Sequence, residues 1–199
     1  MKLRIEQDTA PLNPREEFDH LGKMVCAHRR YGLGDKHDYN ADHYDGWDEF
    51  EAAIRKEENV VVMLPIFMYD HSGVTINVHG FSCNFDSGQI GFIYATREDV
   101  LREYDKKRIS KKMREKIEKQ LEAEVSEYRQ YLEGDVWGYI IENVDGEEVD
   151  SCWGFYGHDD CEEEAKSVIK SLEEQDLADA ALVAKRFGGA GASGPGCQA

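Results

Sequence analysis

Asn59-Val60-Val61-Val62-Met63-Leu64-Pro65-Ile66-Phe67-Met68-Tyr69, then Asp70-His71-Ser72-Gly73, then Val74-Thr75-Ile76-Asn77-Val78-His79, is the stretch on which the fold turns. Val60 to Leu64 is an unbroken apolar run rich in β-branched residues, the pattern of a strand covered on both faces. Pro65 cannot donate to a ladder, so it places a bulge or an unpaired edge at that point. Asp70 to Gly73 is turn chemistry. Val74 to His79 then alternates, which predicts a hairpin. Antiparallel pairing is therefore the first commitment.

Upstream, Leu21 to Asp35 holds three glycines among densely functional side chains and reads as a structured loop with a short strand over Met24 to Ala27. Trp47 to Lys56 fits one amphipathic helix with Trp47, Phe50 and Ile54 on one face. Lys2 to Glu6 reads as an edge strand. Downstream, Gln89 to Ala95 is another strand, and Thr96 is placed to cap a helix. Met113, Ile117, Leu121, Val125, Tyr128 and Leu132 step by three or four and predict the longest clear helix, ended by Gly134. Asp145-Gly146 marks a second hairpin between Asp135–Val144 and Val149–Phe155. Asp159 or Asp160 caps a last helix with Ala165, Val168, Ile169 and Leu172 inward, which the stretch Asp179 to Phe187 can extend.

This adds up to an α+β fold: an antiparallel sheet of about five or six strands, with three or four helices packed mainly on one face. No linker divides the middle, so residues 1–187 read as one domain, followed by a disordered Gly-rich tail over 188–199.

The chain has 199 residues, 41% hydrophobic and 11% aromatic, enough for a real core without metal or disulfide. No apolar run approaches the roughly 20 residues of a membrane span, and the first residues lack the apolar stretch of a signal peptide. The five thiols, Cys26, Cys83, Cys152, Cys161 and Cys197, are odd in number, widely spaced and free of any CxxC pair. That argues against a disulfide framework and for a reducing, cytoplasmic setting.

Charge is the most informative feature. Forty-one acids face 24 bases, for a net −17, which disfavours direct binding to nucleic acid or an anionic membrane. From Ile141 to Ala180 there are 14 acids and only Lys166 and Lys170 as bases. From Leu101 to Gln120 there are nine bases and four acids. The long helix thus begins basic and ends acidic, against its own macrodipole. Rows of carboxylates on rigid elements imitate a polyanion. The residues proposed to do so are Glu147, Glu148 and Asp150 of the hairpin and Asp159, Asp160, Glu162, Glu163 and Glu164 of the last helix. The bland alternative is a solubilising surface.

Four other groupings carry chemistry. His71, Cys83 and Asp86 hold the residue types of a nucleophile, its base and an orienting acid; the alternative is turn capping around a small core cysteine. Arg29 and Arg30, in the glycine-rich loop, are suited to gripping an anion or to neutralising nearby acids. Cys26, His28, His37 and His43 are metal-ligand types at irregular spacing, from which four standard zinc ligands cannot be assembled. Trp153, Phe155 and Tyr156 form an aromatic patch that suits a core or a binding surface. No P-loop, GxGxxG, HExxH or EF-hand pattern occurs, so no cofactor and no metal is expected.

The motifs Leu21-Gly22-x-Met24-x-Cys26-x-His28-Arg29-Arg30-Tyr31-x-Leu33-Gly34-Asp35, Tyr69-Asp70-His71-Ser72-Gly73, Asp86-Ser87-Gly88-Gln89-Ile90-Gly91 and Asp150-Ser151-Cys152-Trp153-Gly154-Phe155 resemble a family of short, uncharacterised proteins encoded by tailed phages and plasmids. The resemblance spans roughly residues 20–160 and implies a mobile-element protein acting in the cytoplasm of a bacterial host. It assigns no activity and no catalytic role. Joined to the charge, it leads to the expectation of an inhibitor that occupies the basic nucleic-acid-binding surface of a host defence protein. A small Cys/His-dependent enzyme and a regulator binding through the aromatic patch are the alternatives.

Overall fold

A computed structural model describes residues 1–83 and 85–187. The tail 188–199 lies outside the described residues. In chain order the elements are β1 (Lys2–Gln7), α1 (Pro14–Glu17), β2 (Lys23–Cys26), a 3-10 turn (Ala41–His43), α2 (Trp47–Glu58), β3 (Val60–Asp70), β4 (Val74–Asn77), β5 (Ser87–Thr96), α3 (Arg97–Glu103), α4 (Lys111–Glu133), β6 (Val136–Glu142), β7 (Glu148–Tyr156) and α5 (His158–Phe187). The fold is α+β and its sheets are antiparallel. The strands divide between a four-stranded sheet, β2-β5-β3-β4, and a three-stranded sheet, β1-β6-β7. This corrects the expectation of one sheet of five or six strands. Periodicity identifies a strand but not its partner, and β1 finds its partner at Val136–Glu142, across most of the chain.

Within the span read as one domain, two compact units form. The central unit is Asp8–Val136; the terminal unit joins Met1–Gln7 to the chain from Trp137 onward. Among the described residues, no helix is long and apolar enough to cross a membrane.

In the central unit the sheet has helices on both faces, a second departure from the sequence expectation. Met24, Ile66, Met68, Ile93 and Ala95 pack against Ile117, Leu121, Val125 and Tyr128 of α4. On the other face Val25, Phe92 and Tyr94 pack against Phe50 and Ile54 of α2. Double coverage buries β5 continuously from Ile90 to Thr96, whereas Val60 to Leu64 of β3, expected to be covered on both faces, is only half-buried. Each fully buried Ile or Leu of the α4 stripe contributes roughly 1.5–3 kcal/mol by leaving water. Ser110 caps α4, accepting from the Met113 N–H at 3.2 Å, and Gly134 ends it in the left-handed region at φ 71°. Pro65 pairs with Phe92 of β5, while β4 reaches only Phe67 to Asp70. The proline therefore sits where the far side of β3 has no strand.

In the terminal unit α5 covers one face of the three-stranded sheet. Tyr139, Ile141, Cys161 and Ala165 are buried there, with Leu3, Ile5, Phe155, Val168, Ile169 and Leu172 around them. The second half of α5 runs on with Leu177, Leu182 and Val183 exposed.

Candidate functional site

The hairpin and the start of α5 carry the eight proposed carboxylates, all in the terminal unit. Asn143 orders the hairpin turn: its side-chain oxygen accepts from the N–H groups of Asp145 and Glu147, both at 2.9 Å. Its amide also donates to Glu147 at 3.0 Å. Glu148 accepts from Ser151 at 2.7 Å, and Asp150 from the Tyr139 hydroxyl at 3.2 Å. Burial, reinforced by that bond to Asp150, pushes Tyr139 up to about 12. These bonds fix the carboxylates without neutralising them.

Asp159 and Asp160 lie in the first turn of α5, where the helix dipole favours negative charge. The dipole does not account for Glu163 and Glu164, or for the hairpin acids. Lys166 pairs with Glu162 at 2.7 Å and holds its carboxyl below the ordinary range. His158 lies 3.7 Å from Asp159. Among the described residues, Glu147, Glu148, Asp150, Asp160, Glu163 and Glu164 have no Lys or Arg within ion-pair distance. Glu162 apart, the lysines do not cancel these acids.

The acids make a row, not a single knot. α5 starts where β7 ends, and His158 meets the Trp137 ring at the opposite end of β6 from the hairpin turn. The nine residues of β7 therefore separate Glu148 from the helix start by about 26 Å. Asp150 and Glu164, which both act on Tyr139, stand between the two ends. With Glu162 paired to Lys166, seven carboxylates over that length still approach one charge per 3.4 Å of a single nucleic-acid strand, about half the density of a duplex.

In the central unit, His71, Cys83 and Asp86 come together at one end of the four-stranded sheet. The Asp86 carboxylate lies 3.3 Å from His71 Nδ1 and accepts from the Cys83 thiol at 4.0 Å. The backbone carbonyl of Asp86 accepts from the Asp70 N–H at 2.9 Å and the His71 ring stacks on Tyr69, so the turn after β3 and the loop before β5 are tied. The carboxylate, and not the imidazole, is the thiol's neighbour, which reverses the usual order of nucleophile, base and orienter. Arg30, expected to hold an anion, is ion-paired with Asp70, which also accepts from the Tyr31 hydroxyl at 3.2 Å. Its guanidinium lies 5.4 Å from the Tyr31 ring centre. Arg29 borders an open cleft of about 680 Å³ with His28, Asp35 and His37.

The metal-ligand types do other work. Burial pushes the Cys26 thiol up to about 12. His28 stacks on Tyr31. His37 Nε2 meets the Cys26 carbonyl oxygen at 2.9 Å, a contact that only an N–H can make. No group of three or more ligand-type side chains among the described residues is arranged for a metal. The aromatic patch splits: Phe155 packs inward against Tyr139, and Trp153 lies half exposed over Gly138. Gly154, at φ 87°, makes the kink between them.

Sequence reasoning missed the buried ion network of the central unit. Arg15 donates to Asp35 from Nε at 2.8 Å and from Nη2 at 2.6 Å, to Glu124 at 3.4 Å and to the Gly22 carbonyl at 2.6 Å. Glu124 also accepts from the N–H groups of Leu21 and Gly22, and Asp35 from Met24. Burial raises the pKa of Glu124 against these bonds. The signal was present: Glu124 interrupts the apolar stripe of α4 between Leu121 and Val125.

No protein-family model, curated protein or solved structure matches the chain. The expected likeness to phage and plasmid proteins gains no support from these comparisons and is drawn from four sequence motifs. Their Arg30, Asp70, His71 and Asp86 converge on the end of the central sheet just described.

Proposed function

We propose that this is a binding protein of mobile genetic elements whose terminal unit enters the cationic groove of a host nucleic-acid-handling defence protein, in place of a nucleic-acid strand. The observation that supports it is the ordered row of unneutralised carboxylates along β7 and the start of α5. Its line charge suits a single-strand groove better than a duplex one. A structured hairpin and helix present those charges with less to order on binding than a mobile acidic tail.

The test is capture of proteins from bacterial lysate by immobilised full chain. Single-stranded oligonucleotide and high salt are expected to release the captured proteins, since both compete for the same cations. Glu147, Glu148, Asp150, Asp160, Glu163 and Glu164 changed together to Gln or Asn should capture none of them. Release that ignores both salt and oligonucleotide would reject the reading.

A second reading is favoured by the contact of Asp86 with both His71 and Cys83. A small hydrolase or transferase would use the Cys83 thiol as nucleophile, with Asp86 taking its proton and His71 steadying the carboxylate. It predicts that Cys83 reacts with iodoacetamide faster than exposed Cys152, and that His71→Ala removes the difference. Equal rates would end it.

A further inference from the structure

We infer that the lysine-lined cleft at the start of α4 receives the acidic row of a second copy of this chain. From Lys106 to Lys119 the chain holds eight bases and two acids, in a protein of net −17. Lys106, Lys112, Lys116 and Lys119 line an open cleft of about 820 Å³ together with Tyr104 and Met113, and Glu115, Glu118 and Glu122 line it as well. Lys116 lies over the Tyr104 ring, 4.5 Å from its centre.

Three features of this cluster are unexplained by the fold itself. The cations crowd the first turns of α4, where the helix dipole is already positive and like charge destabilises. Lys111 reaches Glu115 only at 4.0 Å. Among the described residues, Lys106, Lys107, Arg108, Lys112, Lys116 and Lys119 have no carboxylate within ion-pair distance, although the chain carries 41 acids. Arg114 is anchored, donating to the Val61 carbonyl at 2.6 Å. A cluster held against both dipole and self-repulsion calls for an anionic occupant.

The matching surface is on the same molecule. Lys112, Lys116 and Lys119 step along one side of α4 by about a turn each. Asp160 and Glu164 lie one turn apart along α5, with Glu163 about 100° round the helix from Glu164, and the row they belong to approaches the charge spacing of a single nucleic-acid strand. Free nucleic acid meets the same cleft only against the repulsion of the net −17, whereas a second copy brings like net charge but a preformed, spaced partner helix. The two surfaces differ, so the contact is head-to-tail and propagates into rings or short chains. It conceals the acidic row until a more cationic protein displaces the neighbour.

Sedimentation velocity of the full chain tests this. At about 20 mM salt the mass should be at least twice the 22.7 kDa of one chain, and at about 500 mM it should fall to that of one chain. Lys112→Glu with Lys116→Glu and Lys119→Glu should give monomers at low salt, with unchanged circular dichroism. Asp160→Lys with Glu163→Lys and Glu164→Lys should do the same. Mixing the two triple variants should restore association, because each supplies the sign the other lacks. A wild-type chain that is monomeric at low salt, or a mixture that stays monomeric, would overturn the inference. So would a wild-type chain that gains mass only when oligonucleotide is added and carries it. An acidic row that captures no host protein would leave these outcomes unchanged, so the two readings fail separately.

Discussion

The central and terminal units solve the problem of charge in opposite ways. The central unit, with 26 acids and 18 bases, buries part of its charge: Arg15, Asp35 and Glu124 lock the first helix, the Leu21–Gly22 loop and α4 together. The terminal unit is little more than half as long, has 15 acids against six bases, and keeps nearly all of them on its surface. Its buried core is correspondingly small, with Tyr139, Ile141, Cys161 and Ala165 under a single helix. Charge placed inside fixes a structure, because an uncompensated partner is costly there. Charge placed outside leaves the fold almost indifferent and is free to serve binding.

The largest effect that would sharpen this contrast is expected at Arg15. Arg15→Met leaves Glu124 and Asp35 without their counter-charge and should destabilise the central unit by about 3–5 kcal/mol. Urea unfolding followed by tryptophan emission reads it, since Trp47 reports on the central unit and Trp137 and Trp153 on the terminal one. A single coincident transition in every variant would break the comparison. Ile141→Ala should cost about 2–4 kcal/mol and move the terminal transition alone, because few neighbours exist to fill the space.

A pair of glycines gives a smaller and more discriminating effect. A Cβ at Gly91 would stand 2.0 Å from the Val25 carbonyl oxygen, a backbone atom of the paired strand. A Cβ at Gly138 would stand 2.3 Å from the Trp153 ring, whose half-exposed side chain can turn away. Gly91→Ala should therefore cost about 3 kcal/mol, and Gly138→Ala about 1 kcal/mol with a red-shifted tryptophan emission. Equal costs in denaturant titration would show that β7 is as rigid as the central sheet.

The smallest expected effect is on pH dependence. The bond to Glu127 raises the pKa of His20 above its ordinary 6.5, so the folded chain holds that proton more tightly than the unfolded one. Its stabilisation is complete below about pH 6.5 and is lost as pH rises through the raised value. Burial raises Glu124 as well, so its contribution also declines with rising pH. His20→Gln should flatten the decline between pH 6 and 9 in thermal melts, with no change in the terminal unit. An unchanged slope would remove His20 from the network.

Much of the secondary structure is legible in the sequence because its signals are local. The Thr96 cap, the α4 stripe with its Gly134 stop, and the Asp145-Gly146 turn each depend on residues within a turn or two of one another. The gathering of His71 with Asp86 was legible only in part: it comes from the pairing of β3 with β5, Tyr69 facing Ser87, and not from a hairpin. The pairing of β1 with β6 was not, since nothing in six residues at the start of a chain specifies a partner beyond position 135. Nor was the use of Arg15, whose neighbours Asp35 and Glu124 lie 20 and 109 residues away.

Composition and periodicity by themselves determined the α+β class, the antiparallel pairing, the long helix and the location of the acidic and basic stretches. Those features follow from side-chain spacing and from charge, which act without regard to the rest of the chain. Only the tertiary structure decided that the strands form two sheets, that helices cover both faces of one, and that the carboxylates line up as a row. Those depend on which distant surfaces exclude water together, and burial of that kind is a property of pairs of segments and not of any segment alone.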